Sequence, residues 1–234
     1  MLLDAVLSVL WPARCAACGA FVLEGISFCA ACESALVPLG PCCPGCAMPF
    51  ESSGGLCGGC LRRPFPFASA QAALAYGGPL TQALLRFKHG GHRHLAASLA
   101  RRLGPAMVSL WQQADLVCPV PLHRDRLKSR GYNQALELVR AVGRRLPAQQ
   151  QSKVACDLLS RNIDTPALGH GSPAARARAV AGAFTIRKTD AVVEKHILVV
   201  DDVMTSGATL AECARTLLTG GAAKVSVAAL ARAI

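Results

Sequence analysis

Between Ile197 and Leu210 a β-branched apolar run ends in two adjacent carboxylates, and three hydroxyls and a glycine follow within seven residues. Ile197 to Val200 predicts a strand that delivers Asp201 and Asp202 at its carboxyl end. Thr205-Ser206-Gly207-Ala208-Thr209 leads straight into a predicted helix over 208–218, which Gly220-Gly221 ends. The N–H groups at a helix start point outward with the positive end of the dipole and suit a phosphate. Thr205, Ser206 and Thr209 add donors, and Gly207 lets a phosphate approach the backbone closely. Two neighbouring carboxylates accept hydrogen bonds from a vicinal diol, such as a ribose, or hold a hydrated Mg²⁺. The bland alternative is a strand–turn–helix whose hydroxyls only cap. A Walker B reading of the acids needs a G-x-x-x-x-G-K-[S/T] loop, which does not occur, and the G-x-G-x-x-G fingerprint is missing too.

The cysteines offer a second chemistry. Nine of the twelve precede residue 61, and eight of these make four C-x-x-C pairs: Cys15/Cys18, Cys29/Cys32, Cys43/Cys46 and Cys57/Cys60. Adding 28 to each of the first four positions gives the second four, so the segment is an internal repeat of a small zinc-ribbon-like unit. Each C-x-x-C turn brings two thiolates to one metal, and two turns complete a tetrahedral four-thiolate site. A unit this short cannot bury a sufficient core, so the metal supplies much of its folding energy. Two structural Zn²⁺ are therefore expected. Disulfides and a thioredoxin-like redox pair fit four such knuckles less well. Sequential pairing follows the repeat. Cross-brace pairing, with Cys15/Cys18 sharing a metal with Cys43/Cys46, stays open, and the spare Cys42 could replace Cys43. Cys118, Cys156 and Cys213 stand in apolar contexts and read as core residues.

The charge divides the chain. Residues 1–68 carry three basic and four acidic side chains, a net of −1, and residues 69–234 carry 22 basic and 10 acidic, a net of +12. Eight thiolates with two Zn²⁺ would take the first segment to about −5. The cysteine module is thus poorly suited to gripping phosphate, and anion binding falls to the basic remainder. With 52 % hydrophobic and 17 % charged residues the composition is that of a globular protein with an alanine-rich core. No 18-residue apolar stretch occurs, so no membrane span is expected. Met1 to Trp11 lacks a basic n-region and contains Asp4, and it reads as a short amphipathic helix packed on its own domain rather than a signal. The location expected is cytoplasmic.

These groups need a scaffold. Pro64-Phe65-Pro66 reads as a linker, dividing a zinc module at 1–66 from a second domain at 67–234. Helices are predicted over 80–87, over 95–110, and from an N-cap at Asn133 to about Leu146. Strands are predicted at 115–121, 184–186, 197–200 and 225–230. Strands alternating with helices imply an α/β fold with a parallel, doubly wound sheet, whose ligands bind at the carboxyl ends of strands. Lys88-His89-Gly90-Gly91-His92-Arg93-His94 lacks metal spacing and reads as a basic turn, with Lys88 a candidate substrate contact.

The run 197–210 resembles the 5-phosphoribosyl-1-diphosphate (PRPP) signature of type I phosphoribosyltransferases. By that resemblance Asp201 and Asp202 hold the ribose hydroxyls, and Thr205, Ser206, Gly207, Ala208 and Thr209 hold the 5′-phosphate, with Mg²⁺ accompanying PRPP. Ser206 stands where threonine is commoner. Three further features extend the resemblance to the ComF family of competence-type proteins: the preceding zinc module, Pro119-Val-Pro121 with Arg124, Arg126 and Arg130-Gly131-Tyr132-Asn133-Gln134, and the polar segment Arg161 to Phe184, long enough for a mobile active-site loop. The resemblance implies that Arg126 and Arg130 lie near the diphosphate. That family's loop usually reads T-x-x-Q-x-x-L-x-x-x-x-R-x-x-N. Here Thr165 and Arg176 fit, and Leu168 and Ala179 replace the glutamine and asparagine.

Three functions are compatible with these readings. The first is an enzyme transferring phosphoribosyl from PRPP to a nitrogen acceptor. The second is a competence factor that handles single-stranded DNA, alongside other competence proteins. The third is a PRPP sensor without turnover. The scarcity of aromatics weighs against the second, because strand binders pair a basic groove with stacking rings.

Overall fold

The computed structural model describes residues 12–50, 55–89, 91–165 and 172–234. The predicted N-terminal helix at 1–11 and Leu168 lie outside them. In chain order the elements are α1 (Ala30–Ser34), α2 (Gly58–Arg62), β1 (Ser69–Ala75), α3 (Gly78–Lys88), α4 (Leu95–Gln113), β2 (Leu116–Pro119), α5 (Arg124–Arg130), α6 (Gln134–Gly143), α7 (Ala148–Gln151), β3 (Leu159–Arg161), α8 (Pro173–Val180), β4 (Phe184–Ile186), β5 (His196–Met204), α9 (Ala208–Thr219) and β6 (Lys224–Arg232).

Four strands form one parallel sheet in the order β1-β6-β5-β2. β3 and β4 form a separate antiparallel ribbon. β6 is buried from Val225 to Arg232, as a central strand covered on both faces must be. Its alternate side chains feed two cores. Ala228 and Leu230 join Leu198, Val200, Phe87, Leu99, Trp111 and Leu138 on the face covered by α3, α4 and α6. Val225, Val227 and Ala229 join Ile197, Val199, Leu210 and Leu217 on the face covered by α9. Cys43, Cys46, Ala47 and Cys60 belong to this second core, whereas Cys15, Ala16, Ala17 and Phe28 belong to the first. The edge strand β1 is shielded by residues 37–39, through Ala75 N–H to Val37 O at 2.8 Å and Leu39 N–H to Ala73 O at 3.1 Å.

Several boundaries depart from the sequence pattern. β5 continues past Val200 to Met204, because Met204 pairs with Arg232 of β6, so both acids sit inside the strand. β1 was not predicted, since its Ser, Ala and Gln residues have little β-propensity and only pairing with β6 makes it a strand. The helix from Asn133 stops at Gly143 rather than Leu146, although Asn133 Oδ1 does accept from Leu136 N–H at 3.2 Å. Cys118 and Cys213 are buried as expected, but Cys156 is exposed on the loop before β3. No helix among the described residues is long and apolar enough to cross a membrane.

Candidate functional site

The carboxyl ends of β2 and β5 meet the N-terminus of α9 at one corner of the sheet. Pro119 pairs with Val200, which brings the β2–α5 loop level with the acids. Asp202 is 8 % exposed, and its Oδ2 forms an ion pair with Lys88 Nζ at 2.9 Å. Asp201 is part-buried, and its Oδ1 accepts from Asp202 N–H at 2.8 Å. Burial, then repulsion from Asp202, pushes the Asp201 carboxyl up to about 7, against the pull of that N–H, Lys88 and Arg161. Burial disfavours the Lys88 ammonium, but Asp202 and Asp201 outweigh it and hold it above its ordinary range. Lys88 therefore sits as a counter-ion on the acids. Its candidacy as a substrate contact gains a position in the site, through a partner that sequence distance had hidden.

The turn into α9 is tightly fixed. Gly207 has φ +77° and caps the helix in the left-handed region. A methyl there would lie 2.9 Å from both Met204 Cε and Phe65 Cε1. The glycine is thus demanded by its backbone conformation and by the packing beneath it, a stronger reason than phosphate access alone. Thr205 is exposed, Ser206, Ala208 and Thr209 are part-buried, and Ser206 Oγ accepts from Ala208 N–H at 3.4 Å. The first-turn amides of α9 face out with no preceding helical turn to accept them.

Below the loop lies Arg232, 6 % exposed. Its Nε donates to Cys46 O at 2.9 Å, and its Nη1 donates to Met204 O at 3.1 Å, to Ala233 O at 2.6 Å and to Thr205 O. One signal in the sequence marks this residue: a charge closing a strand that is apolar from Val227 to Ala231.

The cysteines fall into two sets, Cys15, Cys18, Cys29 and Cys32, and Cys43, Cys46, Cys57 and Cys60. Pairing is sequential, as the repeat suggested, and Cys42 stands apart with its thiol on Gly40 O at 3.1 Å. Within each set the sulfurs lie within 4.8 Å of one another, and Cys18–Cys29 and Cys46–Cys57 are each 3.7 Å apart. A Zn²⁺ with bonds of about 2.3 Å needs tetrahedral edges of about 3.8 Å, so both four-cysteine sites fit structural zinc. Cys57 N–H also donates to Cys43 Sγ at 3.2 Å, which orients the ligand.

Two families match the chain: "Double zinc ribbon domain" over residues 6–61 and "Phosphoribosyl transferase domain" over residues 95–234. "DNA utilization protein YhgH" of Escherichia coli K12 is 30 % identical over 179 residues, 74 % of this chain and 76 % of that protein. The protein of the same name from Salmonella typhi is 31 % identical over the same shares. The chain belongs to the ComF family, a double zinc ribbon joined to a phosphoribosyltransferase domain. Among solved structures, a hypoxanthine phosphoribosyltransferase from Staphylococcus aureus matches with TM-score 0.36 and 15 % identity over 60 % of this chain. The match spans 64 % of that structure, under two thirds of its length.

The remaining candidates of this ComF protein, Arg126 and Arg130, lie on α5. Arg130 Nη1 donates to Gln134 Oε1 at 3.1 Å, and its charge reaches Lys88. Arg126 holds the start of the 161–184 segment, through Asp164 at 2.7 Å and Thr165 O. Arg161 was not singled out from sequence. It donates to Thr165 Oγ1, lies over the Phe184 ring at 5.5 Å, and acts electrostatically on Asp201. Beyond it opens a cavity of about 810 Å³ lined by Arg93, Arg124, Arg140, Arg161 and Arg187 among others. Part of the segment expected to be a loop is helical, as α8, which carries Arg176 and Ala179.

Proposed function

We propose that this chain binds PRPP with Mg²⁺ at Asp201, Asp202 and Thr205 to Thr209, and transfers the phosphoribosyl group to a nitrogen acceptor with release of diphosphate. The observation that carries this reading is the juxtaposition of an acid pair, Asp202 buried and Asp201 part-buried, with a helix N-terminus at the carboxyl end of β5. Asp201 and Asp202 would accept hydrogen bonds from the ribose diol. The hydroxyls of Thr205, Ser206 and Thr209, with the first-turn amides of α9, would hold the 5′-phosphate. Lys88, Arg126 and Arg130 would meet the diphosphate. The acceptor nitrogen forms a bond to C1′ as the C1′–O bond breaks, the electron pair leaves on the diphosphate, and the nitrogen's proton passes to solvent. Asp202 Oδ2, paired with Lys88 in the ligand-free protein, and the Asp201 carboxylate beside it are the groups that would hold hydrated Mg²⁺, whose charge would stabilise the leaving diphosphate. The arginine-lined cavity beside Arg161 would take the acceptor. In this reading residues 1–66 form the zinc module and 67–234 the phosphoribosyltransferase-like domain. The protein would act in the cytoplasm, where thiolates stay reduced for zinc.

Calorimetric titration of PRPP·Mg²⁺ into zinc-loaded protein tests the reading. Binding is expected in the wild type and its loss in Asp201→Asn/Asp202→Asn, and release of diphosphate with some acceptor would establish turnover. A folded wild type that ignores PRPP overturns the assignment.

A second reading is favoured by the +12 charge of residues 69–234 and the arginine-lined cavity, and it agrees with relatives named for DNA utilization. Here the protein binds single-stranded DNA, serving DNA uptake with other competence proteins, and PRPP is sensed rather than turned over. DNA affinity falling steeply with salt would support it.

A further inference from the structure

We propose that Arg232 makes the second four-cysteine site, at Cys43, Cys46, Cys57 and Cys60, part of the phosphate-binding machinery, so that metal in this site sets the affinity of the loop at 205–209. Arg232 acts as a positioning residue. One edge of its guanidinium holds the carbonyl of the zinc-ligand residue Cys46, and the other holds the carbonyls of Met204 and Thr205, where the loop begins. The connection spans 186 residues of chain and is buried. A rigid planar fork transmits position between its two ends better than a flexible ammonium does.

Two further contacts close the same path. Phe65, five residues after the ligand Cys60, lies directly under Gly207 and stacks on Phe67 with centroids 4.8 Å apart. Ala70 N–H donates to Pro44 O at 2.7 Å, tying the knuckle to β1. Met204, Leu210, Phe67 and the cysteines Cys43, Cys46 and Cys60 share one core. A shift of the knuckle therefore cannot be absorbed without moving the loop's floor, because packed interiors transmit strain.

Charge supports the geometry. Arg232 meets carbonyls rather than a carboxylate among the described residues, and Cys46, Cys57 and Cys60, which would be thiolates with zinc bound, lie close enough to act on it. Four thiolates around one Zn²⁺ carry a net double negative charge, which offsets the buried guanidinium. The first four-cysteine site has no such connection among the described residues. It is held from α3 by Arg86, which donates to Cys15 O at 3.0 Å and to Ala16 O and Ala17 O at 3.4 Å.

The inference takes its ligand from the PRPP reading, and the test separates the two. Arg232→Met, Arg232→Lys, Cys57→Ser and Cys18→Ser would be compared with the wild type. Zinc content, PRPP·Mg²⁺ affinity by calorimetry, and amide exchange over 204–209 would be measured for each. Arg232→Met and Arg232→Lys should keep both zinc ions yet lose at least about tenfold in affinity, the equivalent of one or two hydrogen bonds. Cys57→Ser should lose one zinc ion and at least as much affinity. Cys18→Ser should also lose one zinc ion and bind within about twofold of wild type. Arg232→Lys, which keeps the buried charge, serves if Arg232→Met does not fold. Faster exchange over 204–209 should appear in the Arg232 and Cys57 variants and not in Cys18→Ser. If wild type binds no PRPP, the PRPP reading fails, and the exchange data alone decide the coupling. A folded Arg232 variant with wild-type exchange over 204–209 overturns it.

Discussion

The two cysteine knuckles are copies of one 28-residue repeat, yet they are built into the molecule differently. Each is docked by an arginine that donates to the carbonyl of a ligand cysteine: Arg86 to Cys15 and Arg232 to Cys46. Arg86 comes from a half-buried position on α3 and donates to carbonyls of its knuckle. Arg232 comes from the central strand of the sheet and also grips the carbonyls of Met204 and Thr205, where the turn into α9 begins. The first knuckle adds polar seats on α4, with Arg101 Nη2 on Ser27 Oγ at 2.6 Å and Arg102 on Glu33. Both knuckles also join a core of the sheet domain, the first on the face covered by α3 and α4 and the second on the face covered by α9. Identical local chemistry thus gives two units held against different partners, only the second of which is tied to the turn into α9 through its arginine. What separates them is the structure each was placed against, and the cysteine spacing is silent on that.

The sharpest way to break this contrast is to disturb the contact between the second knuckle and the loop without touching a cysteine. Gly207→Ala forces a left-handed alanine and a collision with Phe65 and Met204. It should cost about 1–3 kcal/mol of stability and abolish PRPP binding, read by thermal unfolding and calorimetry. The mirror experiment acts on the first knuckle. Arg86→Ala should cost about 1–2 kcal/mol through its lost carbonyl bonds, while PRPP affinity stays within about twofold. An Arg86 variant that weakened PRPP as much as an Arg232 variant would collapse the distinction.

The smallest effect concerns the acids above the second knuckle. Asp201 has a folded-state pKa of about 7, raised above the ordinary carboxylate value of 3.8. The folded protein therefore holds this proton more tightly than the unfolded chain, and the resulting stability is complete below about pH 4 and is lost as pH rises through about 7. Lys88, Asp202 and Arg161 are the charges that face it. Ligand-free protein should lose stability from about pH 4 to 7, modestly because the group is only part-buried, and Asp201→Asn should flatten the slope in thermal melts.

The contiguous parts of the site could be read directly from the sequence. Asp201 to Thr209 are neighbours in the chain, and strand, turn and helix follow from local pattern, as does the 28-residue cysteine repeat. The parts assembled from distant segments could not be read. Lys88 reaches Asp202 from the far end of α3, and Arg161 reaches Asp201 only once the β3–β4 ribbon is folded against the sheet. Phe65 looked like part of a linker, yet it is the floor under Gly207. β1 escaped notice because its small, polar residues become a strand only beside β6.

The place of β6 bears on how the molecule is made. This strand is the last to leave the ribosome among those described, yet it sits between β1 and β5. Until residues 224–232 emerge, β1 has no partner in the sheet and Cys46 has no arginine. Both metal knuckles can assemble on the nascent chain well before the sheet closes, since Cys60 is the last of their ligands. Joining such distant segments is slow compared with local folding, and it leaves the edge of β5 open meanwhile. Early zinc loading followed by late insertion of β6 would make the turn at 204–209 one of the last parts of the sheet domain to be fixed.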